Sequence, residues 1–166
     1  MSVGDFFVKD TPYSALPVQT WQYAASSTLA NPGEVVKVSS AAGSKYAIVI
    51  SDGDGVIGTT VATIGLVTKA STQTSTVNGS VDVQLFLPGV VYAGKPKTAT
   101  DINTAAKIDA LKGKRVKWAV VSGAIQVDCS TADSANNALL IVGGSLSEGT
   151  VFFIVRAGIT LWGNLL

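Results

Sequence analysis

Histidine is absent from this sequence of 166 residues. Histidine is the commonest general base in enzymes, a frequent metal ligand, and the usual partner of serine and cysteine nucleophiles. Glutamate is also scarce, with only Glu34 and Glu148 present, and nothing suggests the facing carboxylate pair of a glycosidase. We therefore predict a protein that is not an enzyme and has no catalytic residues, no cofactor and no metal site.

Charge is low and balanced. Charged residues make up 14% of the chain, with a formal net charge of +1, against about 25% charged residues in an average domain. The one dense basic cluster is Lys112, Lys114, Arg115 and Lys117, which leads into a predicted strand. Lysines at a strand edge discourage aggregation, whereas DNA binding requires clustered cations that neutralise phosphates. We interpret the cluster as a solvated strand edge and expect no nucleic-acid partner.

Long hydrophobic runs are missing although 47% of the residues are hydrophobic and the mean hydropathy is +0.40. A membrane-spanning helix needs about 20 consecutive apolar residues, but stretches such as 138–142 and 151–155 have the length of strands. The first seven residues lack the basic and apolar regions of a signal peptide. We expect no membrane association. We expect instead a protein that is made and used in a cytoplasm and whose own apolar surface is covered by partner proteins.

Three short motifs do not indicate chemistry. Asp52-Gly-Asp54-Gly55 has too few carboxylates nearby for calcium and is interpreted as a turn. Lys112-Gly-Lys114 lacks the spacing of a phosphate-binding loop. Cys129 is the single cysteine, so no disulfide can form within the chain, and we predict that it is a small half-buried hydrophobic residue.

Residues 1–34 differ from the rest of the chain. They hold three of the five prolines and several aromatic residues without a helical or strand period, and proline favours extended backbone. We predict an extended N-terminal arm over 1–34, which lies either on another protein or around its own domain. The aromatic residues that could anchor it are Phe6, Phe7, Tyr13, Trp21 and Tyr23.

Residues 35–166 form the predicted β-rich body, in which short β-branched runs alternate with glycine-rich turns. Ser122-Gly123 between two such runs predicts a hairpin. One helix is expected after a cap at Thr100 or Asp101 and before Gly113, and Gly143-Gly144 is read as a strand-ending turn. The fold class is mainly β, a small β-sandwich or partly open β-barrel with one short helix. The predicted strands are residues 35–38, 45–50, 56–68, 81–87, 115–121, 124–128, 138–142, 150–156 and 159–162.

Apolar residues near position 166 supplement the aromatic residues of the arm as interface candidates. They are Trp162, Leu165 and Leu166. A buried Trp or Phe contributes about 1.5–3 kcal/mol or more, while association costs several kcal/mol, so a contact needs a few such anchors. Closed symmetric oligomers are a common way to bury such patches.

Several segments together resemble the decoration, or cement, proteins of tailed-bacteriophage heads. The segments are the arm with proline and aromatics, the isolated Ala-rich helix, Gly113-Lys-Arg-Val-Lys-Trp, Ser122-Gly-Ala-Ile-Gln-Val, Ile141-Val-Gly-Gly and Gly149-Thr-Val-Phe-Phe-Ile-Val-Arg. The resemblance implies a β-barrel or sandwich, often trimeric, which clamps neighbouring major capsid proteins at threefold points after the shell expands. It also implies a location on the virion surface after synthesis in the host cytoplasm. The arm would then add to capsid-protein sheet edges or lie in grooves.

Two other classes stay open. The first is another virion protein, namely a tail-tube, tail-terminator or fibre-type subunit. The second is a carbohydrate-binding β-sandwich that would use Trp21, Trp118 or Trp162 as a stacking platform.

Overall fold

A computed structural model describes residues 6–39, 46–51, 62–156 and 160. Within this part of the chain the fold is mainly β with one α-helix, as the sequence predicts. The helix α1 spans Ala105–Leu111 and follows a 3-10 turn over Ala99–Ile102. The strands are β1 Phe7–Asp10, β2 Val18–Tyr23, β3 Val35–Val38, β4 Ala47–Val49, β5 Thr63–Lys69, β6 Gly79–Leu85, β7 Val91–Gly94, β8 Arg115–Val121, β9 Ala124–Asp128, β10 Leu139–Ser145 and β11 Thr150–Val155.

Five strands close into a small barrel in the order β2-β4-β3-β5-β6. Most neighbours are antiparallel, and a parallel contact of Tyr23 with Ala47 closes the ring between β2 and β4. In β6, Val81, Val83 and Leu85 are buried while the residues between them are less so. This alternation confirms the face predicted for that strand.

The other six strands form a sheet in the order β1-β7-β11-β10-β8-β9. The predicted β8–β9 hairpin is confirmed, with Ser122 at φ 51° and Gly123 at φ 83°, the left-handed conformations of a tight hairpin turn. Beyond β7, Lys97 N–H donates to the Val127 carbonyl at 2.8 Å and Val127 N–H donates to the Lys95 carbonyl at 2.9 Å. These bonds link β9, at one end of the sheet, to the chain that leaves β7.

The helix is confirmed, but its predicted cap is wrong. Thr104 is the cap, and its hydroxyl accepts a bond from Lys107 N–H at 3.3 Å. Thr100 and Asp101 lie in the preceding 3-10 turn, whose last residue, Ile102, is buried in the sheet core. The run ends before Gly113, which adopts φ +81°.

Two buried clusters make up the core. The barrel core is aliphatic around one aromatic residue, Tyr23. The sheet core is larger and contains Phe6, Phe86, Tyr92, Trp118 and Phe153. Strand β5 is buried on both faces, so that Ile64 and Val67 enter the barrel core whereas Leu66, like Val35 of β3, enters the sheet core. Barrel and sheet are therefore packed together through shared strands.

The described part of segment 1–34 belongs to the body. It supplies β1, which pairs with β7, and β2, which pairs with β6 and β4. Phe6 lies in the sheet core, and its N–H donates to the Gly33 carbonyl at 3.0 Å. Residues 6–34 thus wrap their own domain, which is the second of the two alternatives, and no boundary falls at 34/35. Strands of four and six residues are too short to show a period, so the sequence did not reveal them.

The expectation of a turn at Gly143-Gly144 is wrong. Strand β10 continues through both residues to Ser145, with a bulge between Ile141 and Gly143. A Cβ on Gly144 would lie 2.9 Å from the Thr150 carbonyl oxygen. Glycine here permits close strand approach instead of ending the strand.

Three predicted features lie wholly or partly outside the described residues. They are the Asp52–Gly55 turn, residues 56–61 of the predicted strand 56–68, and most of the predicted strand 159–162. Of the last, Thr160 is described, and it forms a parallel bridge with Thr63 of β5.

Candidate interaction surfaces

Reactive side chains are not gathered into a site in the part of the chain that the structure describes. No three residues of the His, Cys, Asp and Glu types are grouped so that they could hold a metal ion in that part. Cys129 is 2% exposed, more deeply buried than predicted, and burial raises the pKa of its thiol to about 12. A thiol that stays protonated is a poor nucleophile.

Three of the four residues of the basic cluster make polar contacts within the protein. Arg115 makes a two-pronged contact with Asp133, at 2.8 and 3.0 Å, and this hydrogen bonding lowers the pKa of Asp133 to about 2. Lys112 pairs with Asp109 at 2.7 Å, and Lys114 donates to the Cys129 carbonyl at 2.9 Å. Strand β8 pairs with β10 at Arg115 and Val116 and with β9 from Lys117 onward, so the prediction of a strand edge is wrong at Arg115.

The outer face of the sheet carries an apolar patch on β1, β7, β11 and β10, while Arg115 of β8 lies opposite Leu140 at its border. Phe7 of β1 faces Ala93 of β7, which faces Phe152 of β11, which faces Gly143 of β10. Phe7 is 37% exposed and Phe152 is half-buried. We call this row, together with the bulge residue Val142 and the facing pair Leu140 and Ile154, the outer face.

One lysine borders the outer face. The Lys9 ammonium lies 4.9 Å from the ring centroid of Phe152, within reach of a cation–π attraction. It also lies 3.0 Å from a carboxylate oxygen of Glu148, and this bond lowers the pKa of Glu148. The charge at this margin is therefore paired, and the face remains apolar.

The eight predicted interface residues fall into three groups. Phe6 and Tyr23 are buried in the chain's own cores, so their prediction as anchors for a partner is corrected. The Tyr23 hydroxyl donates to the Thr28 carbonyl at 2.7 Å and accepts from Val49 N–H at 3.1 Å. Phe7 and Tyr13 are exposed, while Trp21 is half-buried against the barrel core. Trp162, Leu165 and Leu166 lie outside the described residues.

Sequence reasoning missed Leu140, Val142, Phe152 and Ile154. A signal was available, because residues 150–156 are apolar at both parities of the strand. Such a strand is buried on both faces or displays an apolar face. The glycine after Val142 marks the bulge that turns this side chain outward, leaving it 41% exposed.

The tryptophans give little support to a stacking platform. Trp118 is fully buried in the sheet core, so a sugar ring cannot reach it. Trp21 is only half-buried, but its side chain packs on the barrel core instead of standing free.

Comparisons with known proteins identify no relative of this chain: no family model, no curated protein and no solved structure matches it. Among the described residues, no helix has the length and apolar character needed to cross a membrane.

Proposed function

We propose that this chain is a non-enzymatic structural protein of a tailed-phage head, which binds the major capsid protein on the shell surface and stabilises it. The outer face is the observation that carries the proposal. Its side chains stand on four hydrogen-bonded strands, so few degrees of freedom are lost when they become covered. Together with the low charge and the lack of histidine, this surface is suited to assembly.

The proposed mechanism is thermodynamic linkage. A protein that binds only the expanded shell shifts the equilibrium toward it, by an amount that grows with the free concentration of the protein relative to its dissociation constant. No bond is made or broken. The resemblance to cement proteins in the sequence supports the same role.

A charge in the outer face tests the proposal. We expect Phe7→Asp to weaken binding to expanded heads by about tenfold or more, since burying a Phe contributes roughly 1.5–3 kcal/mol. The heads are expanded shells assembled from a tailed-phage major capsid protein, and bound protein is measured by co-sedimentation across a concentration series.

Two controls separate binding from folding. Val77→Asp places the same charge on a side chain that is 61% exposed outside the outer face, and it is expected to bind like the wild type. Phe7→Leu retains an apolar contact and is expected to bind nearly as well. Equal binding by Phe7→Asp and wild type, or no saturable binding by wild type, contradicts the proposal.

Deleting residues 1–33 is not a usable test, because it removes β1 and β2 and the core residues Phe6 and Tyr23. Negative-stain images of the purified protein provide a separate check. Rings or tubes formed without heads would favour a tail-tube or tail-terminator subunit and count against the head proposal.

A further inference from the structure

A pocket of about 620 Å³ lies where the chain leaving β7 meets β9. Its volume falls within the roughly 300–1,000 Å³ that is usual for small-molecule sites. The walls come from residues of segment 95–103, from Gln126 of β9, and from Leu146 and Gly149 between β10 and β11. None of these residues belongs to the outer face, so the pocket is a separate site.

The charged residues that line the pocket are both lysines. The Lys97 ammonium lies 3.4 Å from a carboxylate oxygen of Asp128, whereas the Lys95 ammonium donates to the backbone carbonyl of Glu148. The Glu148 carboxylate is itself bonded to Lys9 at 3.0 Å. Three lysines thus face two carboxylates, which leaves an excess of positive charge beside the pocket. The complementary ligand is an anion.

Two side-chain amides complete the polar lining. Asn103 is exposed, and Gln126 is half-buried. The Oε1 atom of Gln126 is covered from solvent and accepts no hydrogen bond from the described part of the chain. Such an oxygen has lost its bonds to water without replacement. A turn of the amide about its last side-chain bond would let it bond a hydroxyl group held in the pocket, since an amide both donates and accepts.

The remaining lining is apolar and leaves the approach to Lys95 open. Pro96 and Ile102 are buried, and Leu146 is 50% exposed. Gly149 adopts φ +59°, and a Cβ there would lie 3.6 Å from the Lys95 ammonium nitrogen. A molecule in the pocket therefore meets carbon atoms as well as cations and amides.

We propose that this pocket binds a small organic carboxylate that also carries hydroxyl groups, which is the chemistry of a sugar acid. The carboxylate lies at Lys95 and Lys97, the hydroxyl groups lie at Asn103 and Gln126, and the carbon skeleton packs on Leu146. An inorganic anion would leave the amides and the apolar lining without partners, and a neutral sugar would not compensate the positive charge. The site goes beyond the proposed capsid role and does not depend on it.

Titration of the isotopically labelled full chain with glucuronate, followed by NMR, tests the site without capsids. We expect saturable shifts of the backbone amide signals of Lys97, Gln126 and Gly149. Glucose, which lacks the charge, and hexanoate, which lacks the hydroxyl groups, should each bind at least about fivefold more weakly. A lack of saturation by about 20 mM glucuronate, shifts confined to other residues, or equal binding of the three compounds would overturn the inference.

Two matched pairs of variants assign the contacts. Lys95→Met removes a half-buried ammonium group and should weaken glucuronate binding about fivefold, whereas Lys69→Met removes an exposed lysine of β5 and should not change it. Asn103→Asp adds a negative charge to the pocket and should weaken binding about tenfold. Asn136→Asp adds the same charge on an exposed residue outside the lining and should bind like the wild type.

Thermal midpoints verify that each variant is folded. Wild-type affinity in folded Lys95→Met or in folded Asn103→Asp would overturn the inference, as would an equal loss of affinity in a variant and its control.

Discussion

The barrel and the sheet are built from strands of similar length, but they differ in the side chains that these strands carry on their buried and exposed faces. The barrel core is made of small aliphatic side chains around Tyr23. The polar residues Gln19, Thr20 and Gln22 of β2 are exposed on its surface. The sheet core contains aromatic rings in contact, such as Phe6 and Phe153 with centroids 4.9 Å apart, yet the outer face of the sheet is apolar as well.

This difference suggests that the residues that stabilise the fold and those proposed to contact a partner lie on different surfaces. Strand β2 of the barrel exposes mostly polar side chains beside Val18, whereas the sheet buries one apolar face in the molecule and presents an apolar patch on four strands of the other. Exposed apolar patches are a mark of interaction sites, and the proposed capsid contact therefore uses the sheet. Val35 and Leu66 connect the two elements, because they stand on barrel strands but belong to the sheet core.

The largest effect is expected from the sheet core. Trp118→Ala removes a fully buried side chain and should lower the free energy of unfolding by about 3–5 kcal/mol. The matched barrel variant Val83→Ala should lower it by roughly 2 kcal/mol, since fewer buried atoms are lost. Urea unfolding, followed by fluorescence and circular dichroism, measures both.

The same titrations reveal whether the two elements unfold together. Because Val35 and Leu66 join the cores, we expect one transition with coincident fluorescence and circular dichroism curves. Separate transitions, or equal losses in the two variants, would contradict this account of the cores.

A smaller effect is expected from strand spacing in the barrel. A Cβ on Gly65 would lie 1.9 Å from the Gln84 carbonyl oxygen, so Gly65→Ala must push β5 away from β6. We expect a loss of about 1–3 kcal/mol. The matched sheet variant Gly143→Ala meets only the Phe152 ring, at 3.4 Å, and should change stability by less. The thermal midpoints of the two variants make the comparison, and the reverse order would show that the sheet is the tighter element.

Local elements were predictable from local chemistry. Alternation identified β6, and Ser122-Gly123 between β-branched runs identified the hairpin. The grouping of strands was not predictable, because pairs such as Val35 with Leu66 or Phe7 with Ala93 join distant parts of the chain. No short-range signal specifies such pairings.

The proposed interaction surface was only partly predictable for the same reason. An aromatic residue in the sequence can be recognised as a potential anchor, but the sequence does not show whether its side chain points into the core or to the surface. Phe6 and Phe7 are neighbours in sequence, yet one is buried in the sheet core and the other belongs to the outer face. Only the strand register distinguishes the two, since successive strand residues point to opposite faces.

The smallest predicted effect concerns acid stability and again separates the two elements. The described carboxylates whose pKa is lowered, namely Asp128, Asp133 and Glu148, all belong to the sheet and its connections. The pKa of Asp133 falls from 3.8 to about 2 because Arg115 hydrogen-bonds the ionised form. A lowered pKa in the folded state stabilises the protein above the unfolded value, and this contribution is lost as the pH falls from about 4 to about 2.

Asp133→Asn should therefore reduce the fall in thermal midpoint across this pH interval, by a small amount because the two side chains are still 35% and 45% exposed and solvent screens the pair. Arg115→Gln removes the same interaction from the other side and should flatten the curve in the same way. The thermal midpoint is measured at several pH values for each protein. Curves parallel to the wild type in both variants would show that the pair does not contribute to acid stability, which would leave Asp128 and Glu148 as the described carboxylates with a lowered pKa that could.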